Sequence, residues 1–311
     1  MLSRSAERVY WAGRYLERAE NTARIVQQYS QLLLDLPAEV GVEWHDLVAI
    51  FGAQESFRAS GATRSEDGIL KFLIADANSS SSLVYCIRMA RDNIRNSRDL
   101  LPQESWENAN ELYQFARRTL TVATGDEDRF EVLSDCIGRC QQINGVLVGT
   151  MSHNSPYHFL RLGQNIERAD MTTRIIDVAA AYLQENERVV LRYGSTLWTN
   201  VLKSVSGFQM YRQYCQPEVE GLSVIDFLLN DAAFPRAARC CLEQVLNAAR
   251  SLPRCEQLVQ AVDNVTLLLP STMPADLDGA AVSKLMDRLQ ARLIDTHVAV
   301  LRTWFLPGDT Q

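Results

Sequence analysis

Apolar residues recur at three- and four-residue spacing along almost the whole chain, with Gly and Pro falling between the periodic stretches. No run alternates with the period of two that marks a strand, so the pattern predicts an all-α protein. A first long helix is expected over Ser3 to Leu36, with Ser3 as N-cap and Pro37 as the stop. A second is expected from Ser155-Pro156, Ser as cap and Pro at the first helical position, to about Asn186. Shorter helices fit 44–54, 66–76, 79–99, 104–123 and 128–149, then 196–215, 222–230, 235–250 and 255–266. A long helix over 279–305 closes the chain, leaving a frayed tail from Pro307 to Gln311.

The two long helices carry related sequences. Gly13-Arg-Tyr-Leu-Glu-Arg-Ala-Glu-Asn-Thr-Ala-Arg-Ile25 aligns with Gly163-Gln-Asn-Ile-Glu-Arg-Ala-Asp-Met-Thr-Thr-Arg-Ile175. Further matches follow in the same order. Trp44 falls opposite Trp198, Phe57-Arg58 opposite Tyr211-Arg212, Ile69–Asp76 opposite Val224–Asp231, and Cys86-Ile87 opposite Cys241-Leu242, the separation drifting only from 150 to 155 residues. Collinear matches with small insertions imply a tandem duplication. The expected architecture is therefore two helical-bundle units, residues 1–150 and 151–311, packed about a pseudo-twofold axis as one compact body.

On a helical wheel, Val9, Ala12, Leu16, Ala19, Ala23 and Val26 form an apolar face whose small alanines admit a close neighbour. Glu17, Glu20, Asn21 and Arg24 gather opposite it. The second helix places Leu162, Ile166, Ala169, Thr173 and Ile176 on one side and Glu167, Asp170, Met171 and Arg174 on the other. Arg18 and Arg168 stand at the same intermediate angle. Glu20–Arg24 and Asp170–Arg174 are i,i+4 pairs in the favourable order. A merely solvated face does not require the same acids and arginines in both copies, so these charges are expected to be wholly or partly buried. Breaking a buried pair costs on the order of 3–5 kcal/mol, so they need partners. Two readings stay open. In one, Glu17, Arg18 and Arg24 pair with Glu167, Arg168 and Arg174 to fix the register of the helices. In the other, the same charges line a cleft that holds a polar ligand.

Composition narrows the classes. The chain has 311 residues, 47% hydrophobic and 22% charged, enough for a substantial core and against disorder. A formal net charge of −7 argues against non-specific nucleic-acid binding. The N-terminus carries charge in its first residues without an apolar core, and no stretch approaches the length of a membrane span, so a cytoplasmic protein is expected. Seven cysteines, Cys86, Cys136, Cys140, Cys215, Cys240, Cys241 and Cys255, show no C-x-x-C pair, and read as buried apolar residues. Lys71, Lys203 and Lys284 are the sole lysines, leaving 28 arginines able to form planar, bidentate pairs.

Other constellations are weaker. Ser79-Ser-Ser-Ser precedes a helix and can cap it or hold an anion. Arg88, Arg91, Arg95 and Arg98 follow along one face of that helix, as a solvated stripe or a surface for an acidic partner or anion. His45, His153, His158 and His297 form no Glu-x-x-His or His-Glu-x-x-His motif, and no glycine-rich phosphate loop is present. No metal or cofactor is expected, nor a nucleophile–base set.

The segment Tyr10-Trp-Ala-Gly-Arg-Tyr-Leu-Glu-Arg-Ala-Glu-Asn-Thr-Ala-Arg24 resembles the opening motif of the bacterial alpha-E domain family, named for its α-helices and Glu-Arg motif. Gly163–Arg174 resembles the family's second motif, and Asp76-Ala-Asn-Ser-Ser and Arg91-Asp-Asn-Ile-Arg95 are also similar to it. The second copy departs from the first in carrying Gln164 and Asn165 where the first has Arg14 and Tyr15. The resemblance spans essentially the whole chain. It carries over no catalytic residue. It implies a protein partner, because members are typically encoded beside, and sometimes fused to, a circularly permuted ATP-grasp ligase-like protein. Transglutaminase-like and proteasome-like hydrolases often lie nearby. The expected role is a helical scaffold without independent catalytic activity in a peptide-ligating or peptide-modifying system. The alternative is an enzyme in which Glu17/Arg18 or Glu167/Arg168 act on an amino-acid or peptide substrate, Arg clamping a carboxylate and Glu moving a proton. Association with further copies of the chain is left open.

Overall fold

The computed structural model describes residues 3–37, 40–120, 126–185, 187–214, 218–271 and 278–306, without the side chains of residues 126–127, 182–185, 187–191 and 214. The expected tail 307–311 and Cys215 lie outside these residues. Among the described residues there is no strand.

The first half contains α1 (Ser3–Asp35), α2 (His45–Ile50), α3 (Gln54–Ser60), α4 (Glu66–Leu70), α5 (Leu83–Arg95), α6 (Gln103–Thr119) and α7 (Asp126–Thr150). The second contains α8 (Ser155–Glu185), α9 (Glu187–Ser204), α10 (Phe208–Tyr214), α11 (Gly221–Asn230), α12 (Ala238–Arg250), α13 (Glu256–Thr266) and α14 (Gly279–Val300). Single π turns extend α4 over Lys71–Ala75 and α14 over Leu301–Phe305.

The two long helices cross at the centre. α1 packs on α8, α5, α7 and α9, while α8 packs on α1, α12 and α14. α6 closes the side between α5 and α7, and α13 the side between α12 and α14. The apolar face of α1, from Val9 to Val26, is buried as its spacing requires. Its charged face is buried too, because α1 has neighbours all round. Close approach at the crossing depends on two glycines. A Cβ added at Gly13 would lie 2.5 Å from the Leu160 carbonyl oxygen. One added at Gly163 would overlap the Tyr10 carbonyl oxygen. The apolar side chains of both halves join in one continuous core.

Several boundaries differ from those read in the sequence. Ser3 does not cap α1; its hydroxyl donates to the carbonyls of Trp304 (2.5 Å) and Phe305 (3.2 Å), pinning the first turn to the end of α14. The helix expected over 79–99 begins at Leu83, where Ser82 accepts from the Tyr85 N–H and so satisfies a free helix donor. Where one helix was expected over 196–215, two form, because Ser206 adopts φ 53° and turns the chain. The helix expected over 44–54 likewise stops at Ile50, with Gly52 at φ 60°, and α3 follows without a signal in the periodicity.

Candidate functional site

The crossing of α1 and α8 brings the two Glu-Arg pairs together. Glu167, 1% exposed, accepts from Arg14 Nε at 2.7 Å and from Arg18 through a two-pronged contact, Nε at 2.5 Å and Nη2 at 3.0 Å. Burial alone would raise the Glu167 pKa; Arg18 and Arg14 outweigh it and hold the carboxyl at about 2. The reciprocal contact joins Glu17, 0% exposed, to Arg168, with Arg168 Nε 2.9 Å from Glu17 Oε2. That nitrogen is out of line for a hydrogen bond, so the contact is one of charge. A true hydrogen bond reaches the other oxygen of Glu17 from Arg236 Nη1, at 2.6 Å.

Arg236 was not expected from the sequence. It lies two residues before α12, in a loop whose position Thr172 fixes by donating its hydroxyl to the Arg236 carbonyl at 2.8 Å. From there it also reaches Asn21 Oδ1 (2.7 Å) and Glu20 Oε1 (2.9 Å). Glu20 is buried and pairs with Arg24 on its own helix. It receives further, weaker hydrogen bonds from Gln141 and Asn144 of α7, both at 3.3 Å. Burial would raise the Glu20 pKa, but Arg236 and Arg24 together lower it. Asp170 and Arg174 form the matching pair on α8 at 2.9 Å and are more exposed. Thus Arg24 and Arg174 each serve an acid on their own helix, while Arg18 and Arg168 cross between helices.

The periphery differs at the two acids. Beyond Glu167, Arg14 donates to the Tyr10 hydroxyl at 3.3 Å, and that hydroxyl lies 2.7 Å from His297 Nδ1. Arg14 can only donate, so the Tyr10 proton finds its acceptor in Nδ1 when His297 is the neutral tautomer protonated at Nε2. Burial, then the Arg14 charge, push its pKa down to about 4. Trp11 and Tyr15 stack on each other at 5.4 Å beside this group, with Arg14 and Arg18 against their rings. Beyond Glu17 the corresponding places hold polar groups: Gln164 donates to Asn144 at 2.7 Å and accepts from Arg161 at 3.2 Å. Tyr10, Arg14, Asn144, Gln164 and His297 were not selected from the sequence as site residues, since each has a partner on another helix.

The second candidate surface adjoins the first through Tyr85, whose ring meets that of Tyr15 edge-on at 6.1 Å. Ser79 is buried with no hydrogen-bond partner for its hydroxyl among the described residues, and Ser82 does the capping. Of the arginine stripe on α5, Arg88 donates to the Ala77 carbonyl (3.0 Å) and packs on Tyr85. Arg91 lies between the rings of Trp106 and Tyr113 and bonds Asn110, while Arg98 also covers Trp106. Arg95 is exposed. The stripe is therefore part of an arginine–aromatic face shared by α5 and α6. Among the described residues no group of three His, Cys, Asp or Glu side chains gathers as metal ligands would. No helix there is long and apolar enough to cross a membrane.

Comparison with known proteins agrees with this picture of paired Glu-Arg motifs in a helical frame. The Alpha-E family, described as a predicted alpha-helical domain with a conserved ER motif, matches residues 1–305. No curated protein and no solved structure matches the chain. With a family match over nearly its full length and Glu-Arg pairs at 17–18 and 167–168, the chain belongs to the Alpha-E family.

Proposed function

We propose that this protein is a non-catalytic helical scaffold that binds a protein partner, an ATP-grasp ligase-like enzyme of a peptide-ligating or peptide-modifying system. The observation that carries this reading is the closure of the Glu-Arg cluster. Glu17 and Glu167 are 0% and 1% exposed and each is held by two guanidinium groups. A general acid or base must reach its substrate, and among the described residues these carboxylates reach only arginines. That weighs against the alternative of an enzyme working through Glu17/Arg18 or Glu167/Arg168. The α5–α6 face, with Arg88, Arg91, Arg95 and Arg98 set among Tyr85, Trp106 and Tyr113, has the residue types that dominate protein interfaces.

The scaffold is read as a duplicated unit, residues 1–150 and 151–311. Support comes from contacts that recur in both halves. Gly13 meets Leu160 as Gly163 meets Tyr10. Glu17 meets Arg168 as Glu167 meets Arg18. Cys86 donates to the Ser80 carbonyl as Cys241 donates to that of Pro235.

Affinity capture of the chain at its natural level, followed by identification of what co-elutes, tests the reading. Recovery of an ATP-grasp protein, lost on replacing Arg95 and Arg98 by Glu, is the expected result. Recovery of the chain alone, beside a neighbouring ligase fully active without it, would count decisively against it.

A further inference from the structure

Helix α5 packs on α1 and carries α6, as α12 packs on α8 and carries α13. The two helix pairs differ in what they show outward. Between α5 and α6 runs a row in which guanidinium groups and rings alternate. Arg98 lies over Trp106 at 5.6 Å, Arg91 over Trp106 at 5.2 Å and over Tyr113 at 4.8 Å, and Arg117 over Tyr113 at 5.9 Å. Arg88 over Tyr85, at 5.1 Å, continues the face toward α1. Helices α12 and α13 contain no aromatic residue. Aligned on Cys86 and Cys241, they have Cys240, Glu243 and Leu246 where α5 has Tyr85, Arg88 and Arg91. A helix pair holds this station without such a row, so packing does not require it.

The row also carries unpaired charge. Arg91 is paired with Asp92 at 3.0 Å and bonded to Asn110. Arg88, Arg95, Arg98 and Arg117 make no ion pair among the described residues. By helical spacing Glu104 and Glu111 lie on the other side of α6, which leaves Asp99 and Glu107 as the unpaired acids on this face. Four cations thus face two acids. The surplus is local, since the chain as a whole has a net charge of −7. An arginine stacked on a ring loses less freedom when it binds, and its N–H edge remains for a carboxylate. Arg95, Arg98 and Trp106 also line an open hollow of about 770 Å³ where α5 ends and α6 begins.

We infer that this arginine–aromatic row is the docking site for an acidic segment of a partner protein, its carboxylates engaging Arg88, Arg95, Arg98 and Arg117 and its apolar side chains meeting Trp106 and Tyr113. A nucleic acid fits less well. Bases need free rings to stack on, and each of these rings already lies against two guanidinium groups. The inference rests on the preceding reading only in that a protein partner exists; it adds the chemistry of the segment that docks.

Fluorescence anisotropy with the intact chain at fixed ionic strength tests it. The labelled probes are a short peptide of glutamate and leucine, its twin with glutamine for every glutamate, and a single-stranded RNA. Saturable binding of the glutamate peptide is expected, weaker by about tenfold for the glutamine twin and for the R98Q/R117Q variant. Both arginines are exposed, so that variant should keep the fold. R250Q, on α12 at the place of Arg95, should bind as the unaltered chain does. No binding of the glutamate peptide, equal binding of its twin, preference for the RNA, or unchanged binding by R98Q/R117Q would overturn the inference. A ligase captured from the cell and retained by R98Q/R117Q would overturn it too, while leaving the partner reading in place.

Discussion

Gly163 lies so close beneath Tyr10 that any side chain at the glycine would run into the tyrosine's carbonyl oxygen. The contact recurs with the helices exchanged, Gly13 under Leu160, so the crossing of α1 and α8 has glycine on both sides. Backbone cannot give way as a flexible side chain can. G163A and G13A should therefore each destabilise the fold by about 1–3 kcal/mol, the usual cost of overpacking. Gly145 on α7 meets nothing within 4 Å, and G145A should instead stabilise by up to about 1 kcal/mol. Urea denaturation of the three variants separates the cases; equal effects at 145 and 163 would mean the crossing is not tight.

The acids should differ sharply in what their removal costs. E167Q leaves Arg14 and Arg18 buried without a counter-charge, and E17Q does the same to Arg168 and leaves Arg236 with Glu20 alone. Each should lose about 3–5 kcal/mol. D170N breaks a pair whose members are 14% and 23% exposed, and should lose about 1 kcal/mol or less. Calorimetric melting of all three gives the order. A small loss for E17Q with an unchanged melt would revive a catalytic role for that carboxylate.

The same chemistry makes stability depend on acid. Glu167 titrates at about 2 in the folded chain, below the ordinary 4.5 of the unfolded one. Between those values the unfolded state binds the extra proton, so stability rises with pH. The contribution, about 3 kcal/mol, is complete above pH 4.5 and is lost as pH falls toward 2. His297, held at about 4 against 6.5, has the same sign: its neutral form is favoured by folding, and stability falls as pH drops from 6.5 to 4. Unfolding free energy measured from pH 7 to 3 should fall in two stages. H297N should remove the first stage and leave the second, and a one-stage curve for the unaltered chain would contradict the assignment.

The crossing pair was legible because it is local in sequence twice over. Glu-Arg-Ala and the i,i+4 acid–arginine spacing repeat in both long helices, and repetition of charge implied burial. Arg236 was not legible. It sits in a loop after Pro235, with no periodicity, and its two acids lie on a helix more than 200 residues earlier. Nor was the Tyr10–His297 contact, whose members are separated by 287 positions. Helix interiors announce themselves through 3.6-residue spacing, whereas Ser3 and Ser206 show where that signal ends. A serine at a helix end reads as a cap, yet Ser3 bonds to a carbonyl of the last helix. A serine inside an apolar pattern reads as helix, yet Ser206 turns the chain.

Ser206 also offers a test of how the two halves manage the same turn. Its N–H bonds to the Lys203 carbonyl, and that of Gly207 to Leu202; Gly52 bonds to Ala49, and Ala53 to Val48, in the same pattern. Both turns need a left-handed residue, Gly52 at φ 60° and Ser206 at φ 53°. Glycine takes that conformation freely, whereas a residue with a Cβ loses roughly 1–2 kcal/mol there. S206G should accordingly stabilise the protein by about 1 kcal/mol. G52S should do worse than the backbone alone requires, because the Arg174 guanidinium occupies the space a Cβ needs. Displacing Arg174 would also pull it from Asp170, so G52S combined with D170N should lose less than the two changes added. Chemical denaturation of the single and double variants measures this coupling. Strict additivity would show that the turn and the ion pair are independent.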